Sequence, residues 1–189
     1  MELIECLVNK ETLQENDVLL HDFVRGDVDA FEALFRQFQP QVHAWITQLV
    51  RDPAIAEDLT IEAFWRIHRS HARFDPNRSF GAWARRIATN VALDHLKTRK
   101  HEVALETVPP PMGNNSDSAV QREMREKIER ALRSLPPKLQ IAAILGLVEE
   151  HSYNDISEAL GISLSAVKSR IFRATRMLRK KLERQGIQP

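Results

Sequence analysis

Apolar side chains recur at intervals of three and four along much of the chain. Phe31, Leu34, Phe35 and Phe38 do so, as do Ala56, Leu59, Ala63 and Ile67, then Trp83, Ile87, Val91 and, less strictly, Leu96. Such spacing keeps one stripe of an α-helix apolar, so each run predicts a helix with one face turned inward. No alternating run of useful length predicts a strand, and no internal repeat is present. Pro40, Pro53 and Pro76 are the expected breaks, each suited to a first helical turn or the turn before one. Farther along, Ile128, Leu132 and Leu135 make a short stripe, and Pro136-Pro137 restarts the chain into 139–148. The predicted fold class is all-α.

Between about Lys100 and Ala119 the periodicity lapses. Pro109-Pro110-Pro111 is followed by Gly113-Asn114-Asn115-Ser116-Asp117-Ser118, which offers an extended backbone and no apolar side chains to bury. The organisation predicted is a tail over 1–16, a helical domain over 17–100, a flexible linker over 101–118 and a second helical domain over 119–189. The two domains are expected to move somewhat independently.

Near the C-terminus the pattern becomes specific. Tyr153 through Ile171 has the spacing of a helix-turn-helix. Ile156 and Leu160 give the first helix an inward side, Gly161 sits where the chain must turn sharply, Ile162 fills the angle, and Ser163 is a candidate N-cap. At 100° per residue the second helix divides cleanly. Val167, Ile171, Ala174, Leu178 and Leu182 fall together, whereas Ser165, Lys168, Ser169, Phe172, Arg176 and Arg179 share another arc, flanked by Arg173. A phenylalanine within a cationic face suits a thymine methyl or sugar better than solvent. An ordinary amphipathic helix with a solvated basic side explains neither the turn glycine nor the placing of the charge, so this face is read as DNA-binding.

Charge supports that reading only when it is followed along the chain. The net charge of +1 hides a segregation: residues 1–65 carry 4 basic and 13 acidic side chains, 66–101 carry 9 and 2, 102–150 carry 6 and 8, and 151–189 carry 8 and 3. Two basic blocks are thus set apart, one of them coinciding with the helix-turn-helix. At 43% hydrophobic content each domain can build a core. A single cysteine, Cys6, excludes an internal disulfide and a cysteine-built zinc site. No long apolar run and no basic leader are present, so a cytoplasmic protein without membrane insertion is expected.

Two stretches of the first half then narrow the choice. Asp52-Pro53-Ala54-Ile55-Ala56-Glu57-Asp58-Leu59-Thr60-Ile61-Glu62-Ala63-Phe64 and Phe80-Gly81-Ala82-Trp83-Ala84-Arg85-Arg86-Ile87-Ala88-Thr89-Asn90-Val91-Ala92-Leu93-Asp94 resemble domain two of bacterial sigma factors. Leu135-Pro136-Pro137 through Leu182, including Val167-Lys168-Ser169-Arg170-Ile171-Phe172-Arg173-Ala174, resembles sigma domain four. The order, without a middle domain, is that of the extracytoplasmic-function group of the sigma-70 family. The resemblance implies a transcription initiation factor whose partners are core RNA polymerase, through the beta-prime clamp helices and the beta flap, and promoter DNA, with an anti-sigma factor as a further candidate partner. It implies polymerase contact by the helix bearing Glu57, Asp58, Ile61 and Glu62. It implies capture of the minus-ten element by the segment from about Arg69 to Arg99, and reading of the minus-thirty-five element by domain four. Departures from the family pattern are Ile61 for the usual glutamine, Ala84 for leucine, Ser157 for alanine and Lys97 for arginine.

These tasks select residues. Arg73, Arg78, Arg85, Arg86 and Lys97 supply cations for a phosphate backbone, together with Arg66, Arg69, Arg99 and Lys100. Phe74, Phe80 or Trp83 offers aromatic surface for unstacked bases, with Trp83 better explained by core packing because it shares a face with Ile87 and Val91. Asn90 either reaches a base edge or bonds Asp94 one turn on. Ser165, Lys168, Ser169, Phe172, Arg173 and Arg176 form the duplex-reading set. Catalysis fits poorly: Glu57 and Asp58 are adjacent on a helix and point about 100° apart, so they do not converge on one atom. His68 and His71 have metal-compatible spacing but no cysteine to complete a set. No phosphate loop or nucleophile elbow is visible, so neither enzymatic activity nor a cofactor is expected. The competing reading is a polymerase-independent helix-turn-helix regulator with an N-terminal sensor or dimerisation domain.

Overall fold

A computed structural model describes residues 17–103 and 119–187, with side chains over 17–99 and 122–187. The tail over 1–16 and most of the predicted linker lie outside the described residues. Within them every regular element is helical and no strand occurs. Helix α1 covers 17–24, followed by α2 (Val28–Val50), α3 (Pro53–Arg69), a short 3-10 turn at His71–Arg73 and α4 (Phe80–Val103). The second half contains α5 (Ala119–Arg133), α6 (Pro137–Ala143) running into a π-turn at Ile144–Val148, α7 (Tyr153–Leu160) and α8 (Leu164–Arg184).

Local chemistry starts these helices. Asp27 accepts the Ala30 N–H at 2.8 Å, Asp52 accepts that of Ile55 with Pro53 in the first turn, and Ser152 and Ser163 cap α7 and α8. Each such cap satisfies an amide that the helix leaves orphaned, worth about 1 kcal/mol. Pro40 behaves differently from the expectation that it breaks the chain: it lies inside α2. A proline in a helix interior costs about 3 kcal/mol. Leu34 before it and Val42, Trp45, Ile46 and Leu49 after it are all buried on one core. At roughly 1.5–3 kcal/mol per fully buried large apolar side chain, that burial outweighs the lost hydrogen bond and keeps both segments in line.

Helices α2, α3 and α4 pack mutually around Leu34, Ile46, Leu49, Ala63, Phe64, Ile67, Ala88 and Val91. One end of this bundle is closed by aromatic rings, with Phe23 set edge-on to Phe80 at 5.4 Å and to Phe74 at 6.1 Å. Trp45 is 6% exposed, and its indole N–H finds the Thr89 hydroxyl at 2.9 Å, which removes the penalty of burying an unpaired donor.

In this structure the second half packs against the first. Leu132, Leu135, Leu139, Ala143 and Ala174 form a small core between α5, α6 and α8. Ile141, Ala142, Leu145, Ile156, Ala159, Val167 and Ile171 instead join the same apolar cluster as the first bundle. Helix α4 touches both α6 and α7. Its alanines at 84, 88 and 92, all fully buried, let neighbouring backbones come close. The composition of the linker region says nothing about that shared core, which is formed by residues far apart in sequence.

Candidate nucleic-acid interface

Helices α7 and α8 build the duplex-reading candidate. Helix α7 ends at Gly161 with φ 61°, a left-handed conformation that a side chain disfavours. The Ile162 N–H donates to the Ser157 carbonyl at 3.1 Å and the Ser157 hydroxyl donates back to the Ile162 carbonyl, so the turn is tied from both directions. Ser157, a departure from the family pattern, therefore has a local task. Beyond the turn, Val167, Ile171 and Ala174 are buried and face the core. Ser165, Lys168, Ser169, Phe172, Arg173 and Arg176 are all exposed, and Phe172 is 70% exposed. The arc predicted from the sequence is a single surface, with Arg179 and Lys180 continuing it. Arg170 lies at its edge, half-buried; burial and then the neighbouring Arg173 hold its pKa below the ordinary arginine value.

The second candidate surface, from the 3-10 turn through α4, is more divided. Arg73 and Arg78 are exposed, the latter pairing with Asp75 at 3.4 Å. Phe74 is a correction: at 4% exposure it sits inside the aromatic cluster, as does Phe80 at 3%, so neither presents a face on which a base can stack. Their burial follows from contact with Phe23, on a helix whose packing the local sequence does not reveal. Trp83 is half-buried in the same cluster, in line with the core role. Asn90 is exposed. Asp94 does not bond to it; its carboxylate instead takes Arg66 at 3.0 Å and Lys97 at 2.9 Å. Partial burial opposes ionisation of Asp94, but the hydrogen bonds from Lys97 and Arg66 outweigh it and hold the carboxyl below its usual pKa.

Arg85 and Arg86 turn toward the second half. The Arg85 guanidinium lies 4.9 Å from the Trp45 ring centre, and that ring in turn meets His151 at 5.0 Å between centres, with the two planes tilted by 53°. Arg86 rests on the helix-turn-helix: a Cβ built on Gly161 would lie 2.7 Å from its Nε.

A third surface lies on α3. Glu57, Asp58 and Ile61 are exposed, Ile61 by 67%, while Glu62 is half-buried and accepts from Arg66 at 2.7 Å. Trp65, not singled out from the sequence, extends the same face at 52% exposure, with the Arg69 guanidinium 4.7 Å from its ring. Its signal was its place one turn beyond Ile61. An exposed apolar pair between carboxylates and arginine fits a protein partner. Another apolar surface went unread: Met124, Ile128, Leu132 and Val148, with Arg51, Arg125 and Glu129, line a groove of about 390 Å³.

His68 and His71 hold no metal set. His68 packs on Phe31 at 4.8 Å and His71 Nδ1 lies 3.0 Å from the Val24 carbonyl. Among the described residues no group of three or more ligating side chains gathers, and no helix is long and apolar enough to cross a membrane.

Comparison with known proteins agrees with this layout. The sigma-70 region 2 profile matches residues 34–102 and the sigma-70 region 4 profile matches 125–178. The chain is 34% identical to RNA polymerase sigma factor CarQ of Myxococcus xanthus over 164 residues, 85% of this chain and 93% of that protein. It is 30% identical to the ECF RNA polymerase sigma factor SigW of Bacillus subtilis over 84% of this chain and 91% of that one. Two solved structures share the fold. CnrH, in complex with the cytosolic domain of CnrY, superposes with a TM-score of 0.55 at 21% identity, covering 89% of this chain and 97% of that one. RpoE, in complex with the anti-sigma factor NepR from Bartonella quintana, gives 0.54 at 23%, covering 82% and 98%. With both conserved regions matched in order and relatives aligned over nearly their full length, the chain belongs to the sigma-70 family, in its extracytoplasmic-function group.

Proposed function

We propose that this chain binds core RNA polymerase and directs promoter-specific initiation, α8 reading the minus-thirty-five element as duplex and α4 holding the minus-ten element as single strand. The observation that carries the reading is the α8 face, where Lys168, Phe172, Arg173 and Arg176 stand exposed on one side of a helix anchored by Val167 and Ile171 on the other. A helix of this width fits the major groove, where cations meet phosphates and guanine edges and Phe172 meets a thymine methyl. On α4 and the preceding turn, Arg73, Arg78, Arg86, Asn90 and Lys97 are assigned to the opened strand, with Arg85 joining once Trp45 releases it.

The face of Glu57, Asp58, Ile61, Glu62 and Trp65 is assigned to the beta-prime clamp helices, and the apolar groove beside Met124, Ile128 and Val148 to the beta flap. The two solved neighbours were captured with CnrY and NepR, and a comparable anti-sigma partner is proposed here. The chain acts by binding, not by catalysis, and works in the cytoplasm where the polymerase is.

Run-off transcription from a genomic fragment library, with purified chain and core polymerase, tests the reading. Discrete transcripts that require the chain are expected. Tight, specific duplex binding by the chain alone, with no assembly on core polymerase, would establish the regulator instead; that alternative draws support from the exposure of the α8 face without any partner.

A further inference from the structure

Along the seam between the two halves, where the end of α2 meets α5, three guanidinium groups crowd together. Arg51 and Arg133 approach the same carboxylate, Glu129, at 3.9 Å each. A charge-assisted hydrogen bond is about 2.7–2.9 Å long, so neither arginine is closely paired there. Arg99, near the end of α4, stands close enough to act on Arg133. Burial and then the charge of Arg99 hold the Arg133 pKa below the ordinary arginine value; Arg51 adds to the effect, and Glu129 and Asp52 oppose it. Asp52 is already engaged, accepting the Ile55 N–H as the cap of α3. All three arginines are half-buried. Cations gathered partly out of water repel one another, and a bound polyanion relieves that cost.

Arg51 and Glu129 also line the groove of about 390 Å³ whose apolar walls are Met124, Ile128, Leu132 and Val148. Met124, Ile128 and Val148 are each 40% exposed, so those walls are open to an incoming molecule. Sites for small ligands are commonly about 300–1,000 Å³, with apolar walls and a few placed polar groups. A nucleic-acid backbone is instead tracked by an extended cationic groove with aromatic platforms. Here the cations are recessed beside an apolar hollow, which favours a compact anion with an apolar body.

We propose that this junction binds a nucleoside diphosphate: Arg51, Arg99 and Arg133 receive the phosphates, and the base lies against Met124, Ile128 and Val148. The guanidinium fork matches phosphate oxygens in pairs, which a single ammonium does not. Glu129 opposes the ligand's charge and keeps the affinity down. The apolar walls carry no groups that read a base edge, so different bases are weakly discriminated. The site shares a wall with the surface assigned above to the beta flap, so nucleotide and flap exclude each other there, but it does not rest on that assignment.

Isothermal titration calorimetry of the full chain with ADP, adenosine and inorganic pyrophosphate tests the site. ADP is expected to bind saturably, and adenosine and pyrophosphate at least tenfold more weakly, because each meets only half of the site. Arg99→Gln should weaken ADP binding at least tenfold. Glu129→Gln should strengthen it severalfold, a gain that a folding defect cannot produce. Arg36→Gln, which removes one member of an exposed pair with Glu32 on α2, should leave it unchanged. No saturable ADP binding by the parent chain overturns the proposal, as does the same affinity in parent, Arg99→Gln and Glu129→Gln chains. Pyrophosphate bound as tightly as ADP overturns the nucleoside half, and dodecyl phosphate bound more tightly than ADP gives the groove to an acyl chain instead. If Arg99→Gln lowers affinity for a labelled single-stranded oligonucleotide that ADP does not displace, the arginines are a nucleic-acid contact and the proposal fails.

Discussion

Lys168 and Phe172 share one exposed face but act through different physics. An ammonium neutralises phosphate or donates to a base edge, whereas a phenyl ring contributes only contact. Lys168→Ala should therefore either lower duplex affinity by about 1–3 kcal/mol with altered sequence preference, or reduce the salt slope by about one. Phe172→Ala should weaken binding with the slope unchanged; fluorescence anisotropy across a salt series reads both. Gly161 shows another kind of residue-level constraint. Its φ of 61° strains any Cβ, and Arg86 already fills the space that Cβ would take. Gly161→Ala should destabilise the fold by about 1–2 kcal/mol from the backbone alone, measured by urea unfolding, with a further loss wherever Arg86 cannot move aside. The glycine's turn role was legible from its position. Arg86 as its neighbour was not, because 75 positions separate the two.

Single helices set the next scale. On α3, Ile61 and Trp65 lie one turn apart and are both more than half exposed, so removing them leaves no cavity. Ile61→Asp with Trp65→Ala is expected to weaken assembly with core polymerase at least tenfold while the unfolding midpoint stays put; surface changes of this type usually shift stability by no more than about 0.5 kcal/mol. Helices α3 and α4 are also joined by charge, through Asp94 with Arg66, while Lys97 pairs with the same carboxylate from within α4. Because the folded-state pKa of Asp94 lies below its unfolded value of 3.8, its contribution is present above that value and is lost as pH falls through the depressed one. Asp94→Asn should thus lower stability at neutral pH, and the gap to the parent should close under strongly acid conditions. Since the pair is about half exposed, the difference will be small and will shrink with salt.

At the scale of the whole molecule, the decisive feature is that α4 belongs to two packings at once, with α2 and α3 on one hand and α6 and α7 on the other. Halves that share an apolar cluster should unfold together. Calorimetry of the full chain is therefore expected to show one transition whose calorimetric and van't Hoff enthalpies agree; two resolved transitions would mean that the seam contributes little. The sharing also explains the charge map. Nine basic and two acidic side chains over 66–101, and eight and three over 151–189, would repel if turned directly on each other. The halves instead meet through alanines, Trp45, His151 and the Arg51–Glu129 pair, with only Arg85, Arg86 and Arg99 of the first basic block beside them, and most of the α8 cations are exposed.

Helical periodicity, caps and charge along the chain were readable from local order alone, since each depends on residues within a turn or two of one another. The α7–α8 turn, the Ser163 cap, the buried stripe of Val167, Ile171 and Ala174 and the exposed set from Ser165 to Arg176 all follow from that rule. What needed tertiary structure was every choice made by a distant neighbour. Phe74 and Phe80 are inside because Phe23 packs on them, Pro40 stays helical because residues on both sides share a core, and Arg86 lies beside Gly161 because α7 comes to rest on α4. Local sequence fixes which face of a helix is apolar; only the assembled fold decides what that face meets, because burial is a property of pairs of elements and not of either one.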